Sequence, residues 1–111
     1  MTINWNDFEK IDMRVGTVLS VNDFPKARKP AYQLTIDFGH EIGIKKSSAQ
    51  ITAHYKMEDL INKQIIAVIN FPPKQIADYI SECLVLGVYD EHNNVILLQP
   101  AHATKNGMKV G

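Results

Sequence analysis

In AYQLTIDF, residues 31–38, apolar side chains fall on every second position. Tyr32, Leu34, Ile36 and Phe38 point one way, and Gln33, Thr35 and Asp37 point the other. A period of two belongs to a strand with one buried face, so the chain must supply partner strands and a core beneath it. FGHE reads as a turn, after which IGIKKSS returns as a neighbouring strand that brings Lys45 and Lys46 back beside the first. Upstream, RVGTVLSVNDF is rich in β-branched residues and reads as a strand, with Gly16 marking a bulge or sharp bend. Downstream, QIIAVIN lacks alternation and reads as a buried strand stopped by FPP. CLVLGVYDEHNNVILLQP holds two apolar runs around DEHNN, the pattern of a hairpin.

Helical signals are short. NWNDFEKIDM can form one turn or two with Asn4 or Asn6 as cap, placing Trp5, Phe8, Ile11 and Met13 on a shared face. ITAHYKMEDLINK has helical spacing at Ile51, Tyr55 and Leu60, or only a turn over residues 57–60. Three strands, a short helix and further strands, with a glycine bend in the first, is the order of an OB-fold. The expected architecture is therefore mainly β: a five-stranded Greek-key barrel with short helices and N- and C-terminal extensions. A chain of 111 residues fits one such domain, residues 1–111.

Barrels of this kind bind ligands through the loop between strands one and two and the face of strands two and three. Here that loop is KARKPAY. Lys26, Arg28 and Lys29 concentrate positive charge in a chain whose formal net charge is zero, and Lys45 and Lys46 lie on the expected neighbouring strand. Converging cations are what phosphate neutralisation requires. Tyr32 closes the loop and is open to two roles: stacking a base, or beginning the core face. NFPPK offers a second surface. It reads either as a rigid strand terminator or as an apolar lip, with Phe71 and Ile76 on one side, Leu84 opposite, and Lys74 and Arg28 on the rim. Such a lip would suit exposed hydrophobic peptide segments.

Catalysis finds no foothold. Cys83, the single cysteine, begins an apolar strand, where thiols are usually packing groups, and one thiol assembles neither a disulfide nor a thiolate zinc site. The histidines at 40, 54, 92 and 102 lack ligand spacing, and no phosphate-cradling glycine loop occurs. Asp12 reads as a partner for Arg14 or a turn cap. The expectation is a protein that is not an enzyme and uses no metal or cofactor. MTINWNDFEK lacks the basic and apolar regions of a secretory signal, and IIAVI is far too short to cross a bilayer, so the expected location is cytoplasmic. Trp5, Phe8 and Ile11 at one end and Met108 and Val110 at the other exceed what a barrel of this size covers. They are expected to meet a second copy across a two-fold axis.

The segments DMRVG, KARKPAYQLTIDFG, KKSSAQIT, NFPPKQI and SECLVLG occur in one order and register that resembles the tRNA-binding OB-domain family, and within it the CsaA-type export chaperones. The likeness runs from Phe8 to the C-terminal NGMKVG. It implies a homodimeric barrel whose partners are unfolded or precursor polypeptides and the protein-export machinery, with tRNA as the alternative ligand. By the same resemblance, Lys29, Asn70 and Ser81 match positions of nucleic-acid docking. The chain departs from the tRNA-binding pattern where those relatives favour Ser-Glu-Gly-Met: here the residues are Ser81-Glu82-Cys83-Leu84. Losing Gly and Met leaves a more apolar, less adaptable surface, which leans toward the chaperone branch.

Overall fold

The alternation in residues 31–38 is answered by burial. The computed structural model describes residues 1–111, and in it strand β2 (Tyr32–Asp37) buries Leu34 and Ile36 completely, with Phe38 buried just beyond its end. The other strands, in chain order, are β1 (Met13–Asp23), β3 (Ile44–Ala49), β4 (Gln64–Val68), β5 (Lys74–Ile76), β6 (Tyr79–Ser81), β7 (Leu84–Val85), β8 (Gly87–Tyr89) and β9 (Val95–Leu97). Two short helices, α1 (Trp5–Glu9) and α2 (Met57–Leu60), complete the elements.

β1 serves two neighbours. Its first part, Met13–Thr17, pairs antiparallel with β4, and its second, Thr17–Asp23, pairs antiparallel with β2. A strand that changes partners along its length must coil, and the sheet β3-β2-β1-β4-β7 curls into a nearly closed five-stranded OB barrel. Gly16 permits the inner packing. A Cβ there would lie 2.6 Å from Ile36 Cγ2 and 2.8 Å from the Phe38 ring. The bulge expected at Gly16 lies instead between Val18 and Ser20, where the β1–β2 register shifts. Val18, Leu34, Ile36, Phe38, Leu60 and Ile65 fill the interior. Truncating Phe38 to Ala would cost about 3–5 kcal/mol by the usual scale for a buried aromatic.

The barrel closes between β3 and the segment Ser81–Cys83. The Glu82 amide donates to Lys46 O at 2.7 Å, and Lys46 N donates back to the Glu82 carboxylate at 2.9 Å. Fully buried Ser47 donates through Oγ to Cys83 O at 2.9 Å. Ser48 N donates to Ser81 Oγ at 3.1 Å.

Three sequence expectations are corrected. The helix over 51–63 is only the turn Met57–Leu60; Ile51 is buried ahead of it, and the Tyr55 hydroxyl accepts from Leu97 N at 3.0 Å. The apolar run beginning at Cys83 is not one hairpin strand but two strands in different sheets: β7 pairs with β4, and β8 pairs with β9. The run divides next to Gly87, where a Cβ would sit 2.6 Å from Ile96 O. The β5–β6 hairpin, with Ala77 at a φ of 52° in its turn, was not foreseen. The DEHNN turn is present, with Asp90 accepting from the amides of His92 and Asn94.

The extensions gather at one end. Asn4 and Asp7 cap α1 reciprocally, yet no residue of the helix is buried. Ile11 and Met13 lie outside the helix, so the shared face reduces to Trp5 and Phe8, whose rings are 5.2 Å apart. The C-terminal segment lines up along β1: Gly107 N donates to Val15 O, Val15 N to Met108 O, and Val110 N to Met13 O. No helix is long and apolar enough to cross a membrane.

Candidate binding groove

The β5–β6 hairpin stands beside β3 and makes one wall of a groove. Phe71, Pro72, Lys74 and Ile76 line this side; Ser48, Gln50 and Ile51 form the floor; Leu84, Val85, Tyr89 and Val95 form the far side. The enclosed volume is about 470 Å³. Phe71 and Leu84 are 55% and 48% exposed, so both present carbon surface to solvent rather than to the core. Pro72 and Pro73 cannot donate to a ladder, which ends the strand run and leaves Phe71 projecting. The apolar lip read from NFPPK is thus assembled from Phe71, Ile76 and Leu84, with Lys74 among the lining.

At Ser48, Gln50, Lys74 and Ile76 this groove meets a second hollow of about 740 Å³ beneath the loop Lys26–Lys29. The charged side chains lining the two are Lys26, Arg28, Lys29 and Lys74, with no acidic residue among them. Asp78 lies just outside. Its carboxylate accepts from Lys26 Nζ at 2.9 Å, tying the basic loop to the hairpin turn. That hydrogen bond raises the lysine pKa and lowers the aspartate's. Arg28, Lys29 and Lys74 make no ion pair and keep their charge for a ligand.

The hairpin is fastened through Tyr79. Its ring packs on Phe24 with centroids 5.5 Å apart, its hydroxyl donates to Leu34 O at 3.3 Å, and Lys46 Nζ lies 5.1 Å from its centroid. Burial, then the Glu82 charge, pushes the phenol up to about 12, so it remains a donor. The far side is pinned by His54 Nε2, 2.7 Å from the Asp90 carboxylate. Burial pushes the Cys83 thiol up to about 11, which leaves it a packing group in the closing strand.

Several expected site residues lie elsewhere. Lys45 and Lys46 do not join the basic loop: adjacent strand residues face opposite ways, so Lys46 covers Tyr79 while half-buried Lys45 shares the side of Ser47 and Ala49. Tyr32 is not in the groove; it packs against the core and its hydroxyl donates to Tyr55 O at 2.7 Å, which decides between its two readings. Asn70 is engaged by main chain, accepting from Asp12 N and donating to Lys10 O. Ser81 does line the groove, but its hydroxyl also helps close the barrel. Asp12 holds Arg14 at 2.6 Å, as expected. Sequence reasoning missed Ser48, Gln50, Val85, Tyr89 and Asp78. Three-residue strands carry too little periodicity to reveal a wall, and an ion pair between residues 26 and 78 leaves no local signal.

Trp5 and Met108 are 63% and 47% exposed, and a shallow hollow is lined by Ile3, Trp5, Phe8 and Gly111. Val110, expected to be exposed, is half-buried because its amide pairs with β1.

Comparison with known proteins is consistent across scales. Residues 13–109 match the family model described as "Putative tRNA binding domain". A solved structure of a CsaA chaperone protein from Picrophilus torridus is 56% identical with a TM-score of 0.93, covering 99% of this chain and 100% of that one. A chaperone CsaA from Bacillus anthracis is 51% identical with a TM-score of 0.94, covering 100% of both chains. A methionine–tRNA ligase of Pyrococcus horikoshii is 37% identical over 108 residues, or 97% of this chain, which spans only 14% of that protein's length.

Proposed function

The chain belongs to the tRNA-binding-domain family, and on that premise we propose that it is a molecular chaperone that assists protein export by holding unfolded or precursor polypeptides. One observation carries this reading: an apolar groove lined by Phe71, Ile76 and Leu84 opens into a rim of Lys and Arg without an acidic residue. Burying exposed apolar segments there gains roughly 25 cal/mol per Å² while leaving the barrel core untouched. The CsaA chaperones, similar over their full length, support the same reading. The working particle would be a cytoplasmic homodimer joined through Trp5, Phe8, Ile11, Met108 and Val110. It would deliver cargo to the export machinery, and we assign it no reaction and no cofactor.

A second reading is favoured by Arg28, Lys29 and Lys74, which are unpaired and lie around one hollow. On this reading the domain, 1–111, binds tRNA by shape, using phosphate contacts. The experiment that tests both follows tRNA and an unfolded polypeptide across a salt series. Phosphate binding weakens steeply with salt, whereas apolar capture is nearly indifferent to it. Retention of an unfolded polypeptide at high salt supports the chaperone reading. Binding of tRNA alone overturns it.

A further inference from the structure

The floor of the groove exposes a strand edge. In the β2–β3 ladder, Phe38 N donates to Gly43 O, which fixes Lys45, Ser47 and Ala49 as the residues whose main chain faces β2. The main-chain groups of Lys46 and Ser48 therefore face the opposite way, and the bonds from Lys46 to Glu82 and from Ser48 N to Ser81 Oγ agree. Beyond Ser48 this closure stops. Ser48 O and both main-chain groups of Gln50 face the groove and bond to no other part of the chain. Across from them, Leu86 N bonds to Ile66 O, so Val85 turns its N–H and C=O away from β4, and they too are unpaired.

Resting on the polypeptide reading, we propose that cargo is gripped chiefly by its main chain: an extended segment adds as a strand to the Ser48–Gln50 edge of β3. Ser48 O, Gln50 N and Gln50 O repeat at the spacing that one antiparallel neighbour satisfies. Backbone pairing is blind to side-chain identity, so it explains how one groove serves many unfolded chains. Alternate side chains supply the selectivity. Those turned toward the wall meet Phe71, Ile76 and Leu84 and should be apolar. The unopposed charges of Arg28, Lys29 and Lys74 call for acidic residues beside the apolar run. The occupant is thus an extended polypeptide with alternating apolar residues and an adjoining acidic end.

The test uses the full chain and three fluorescein-labelled peptides read by anisotropy. The parent is ten residues of alternating Val and Thr ending in two Glu. One derivative carries N-methyl groups on every Val amide, the other on every Thr amide. A methyl removes the donor and blocks the ladder on one edge of the strand, while side chains stay the same. At least one derivative should bind about tenfold or more weakly than the parent, as the loss of two or more hydrogen bonds requires. A fourth peptide with both Glu replaced by Lys should also bind more weakly. Equal affinity of the parent and both methylated peptides overturns strand addition and leaves the polypeptide reading standing. No binding by the parent overturns both. Equal or tighter binding of the Lys peptide overturns the acidic preference.

Discussion

Lys26 Nζ and the Asp78 carboxylate meet at 2.9 Å, joining the loop after β1 to the turn between β5 and β6 across 52 positions of sequence. The pair lies at the rim of the basic hollow, where Asp78 occupies the lysine as an anionic ligand would. Both side chains are well exposed, so the bond matters more for the local field than for stability. Asp78→Asn should release Lys26, tighten tRNA binding at low salt and steepen the salt dependence by about one counterion. Filter binding across a salt series checks this. An unchanged slope would place Lys26 outside the RNA footprint.

Replacing Lys26, Arg28 and Lys29 together with Ala should weaken tRNA binding and flatten its salt dependence, with thermal unfolding little changed, because surface charges contribute little to stability. Lys45→Ala, on the other side of β3 from the groove, should affect tRNA much less. Equal losses from the two variants would contradict the division between them.

Phe71 is exposed at the groove lip and contributes nothing to the barrel interior. Phe71→Ser should therefore leave the melting temperature within a degree or two of the parent's, while the capacity to suppress aggregation of a denatured test protein falls severalfold. Light scattering during refolding measures it. Undiminished suppression would remove the lip from the polypeptide site.

Trp5 and Met108 offer apolar surface that the single chain leaves uncovered. Deleting residues 1–10 should shift the particle from dimer toward monomer in sedimentation velocity and lower its stability. A truncated chain that still sediments as a stable dimer would exclude the helix from the interface.

The Asp90 carboxylate accepts from His54 and from the turn amides of Asn94 and His92, and these bonds lower its pKa below the ordinary 3.8. A lowered folded-state value means that its stabilisation is complete above 3.8 and disappears as pH falls through the folded value. Asp90→Ala should melt earlier than the parent at neutral pH, and the two melting curves should converge in strong acid. A gap that persisted in strong acid would assign the loss to packing rather than to the ionised carboxylate.

What the sequence determined by itself was local and periodic. Alternation in residues 32–38 fixed β2 and its buried face, because a period of two has only one regular structure to fit. Proline chemistry at 72 and 73 ended a strand and projected Phe71, and Asn4 capped a helix through a bond three residues away. The groove's carbon wall of Phe71, Ile76 and Leu84 could be foreseen because each lies next to such a local signal. Tertiary structure decided what depended on partners distant in sequence. Tyr32 became a core residue because the Tyr55 carbonyl lies within reach of its hydroxyl, and Asn70 became a clamp because Lys10 and Asp12 pass beside it. Lys45 and Lys46 parted because β3 is closed on both sides, by β2 and by the Ser81–Cys83 segment, which fixes where each lysine can point. The open edge at Ser48 and Gln50 has no sequence signature at all: an unpaired main-chain group is defined by what fails to arrive beside it, and only the assembled barrel determines that.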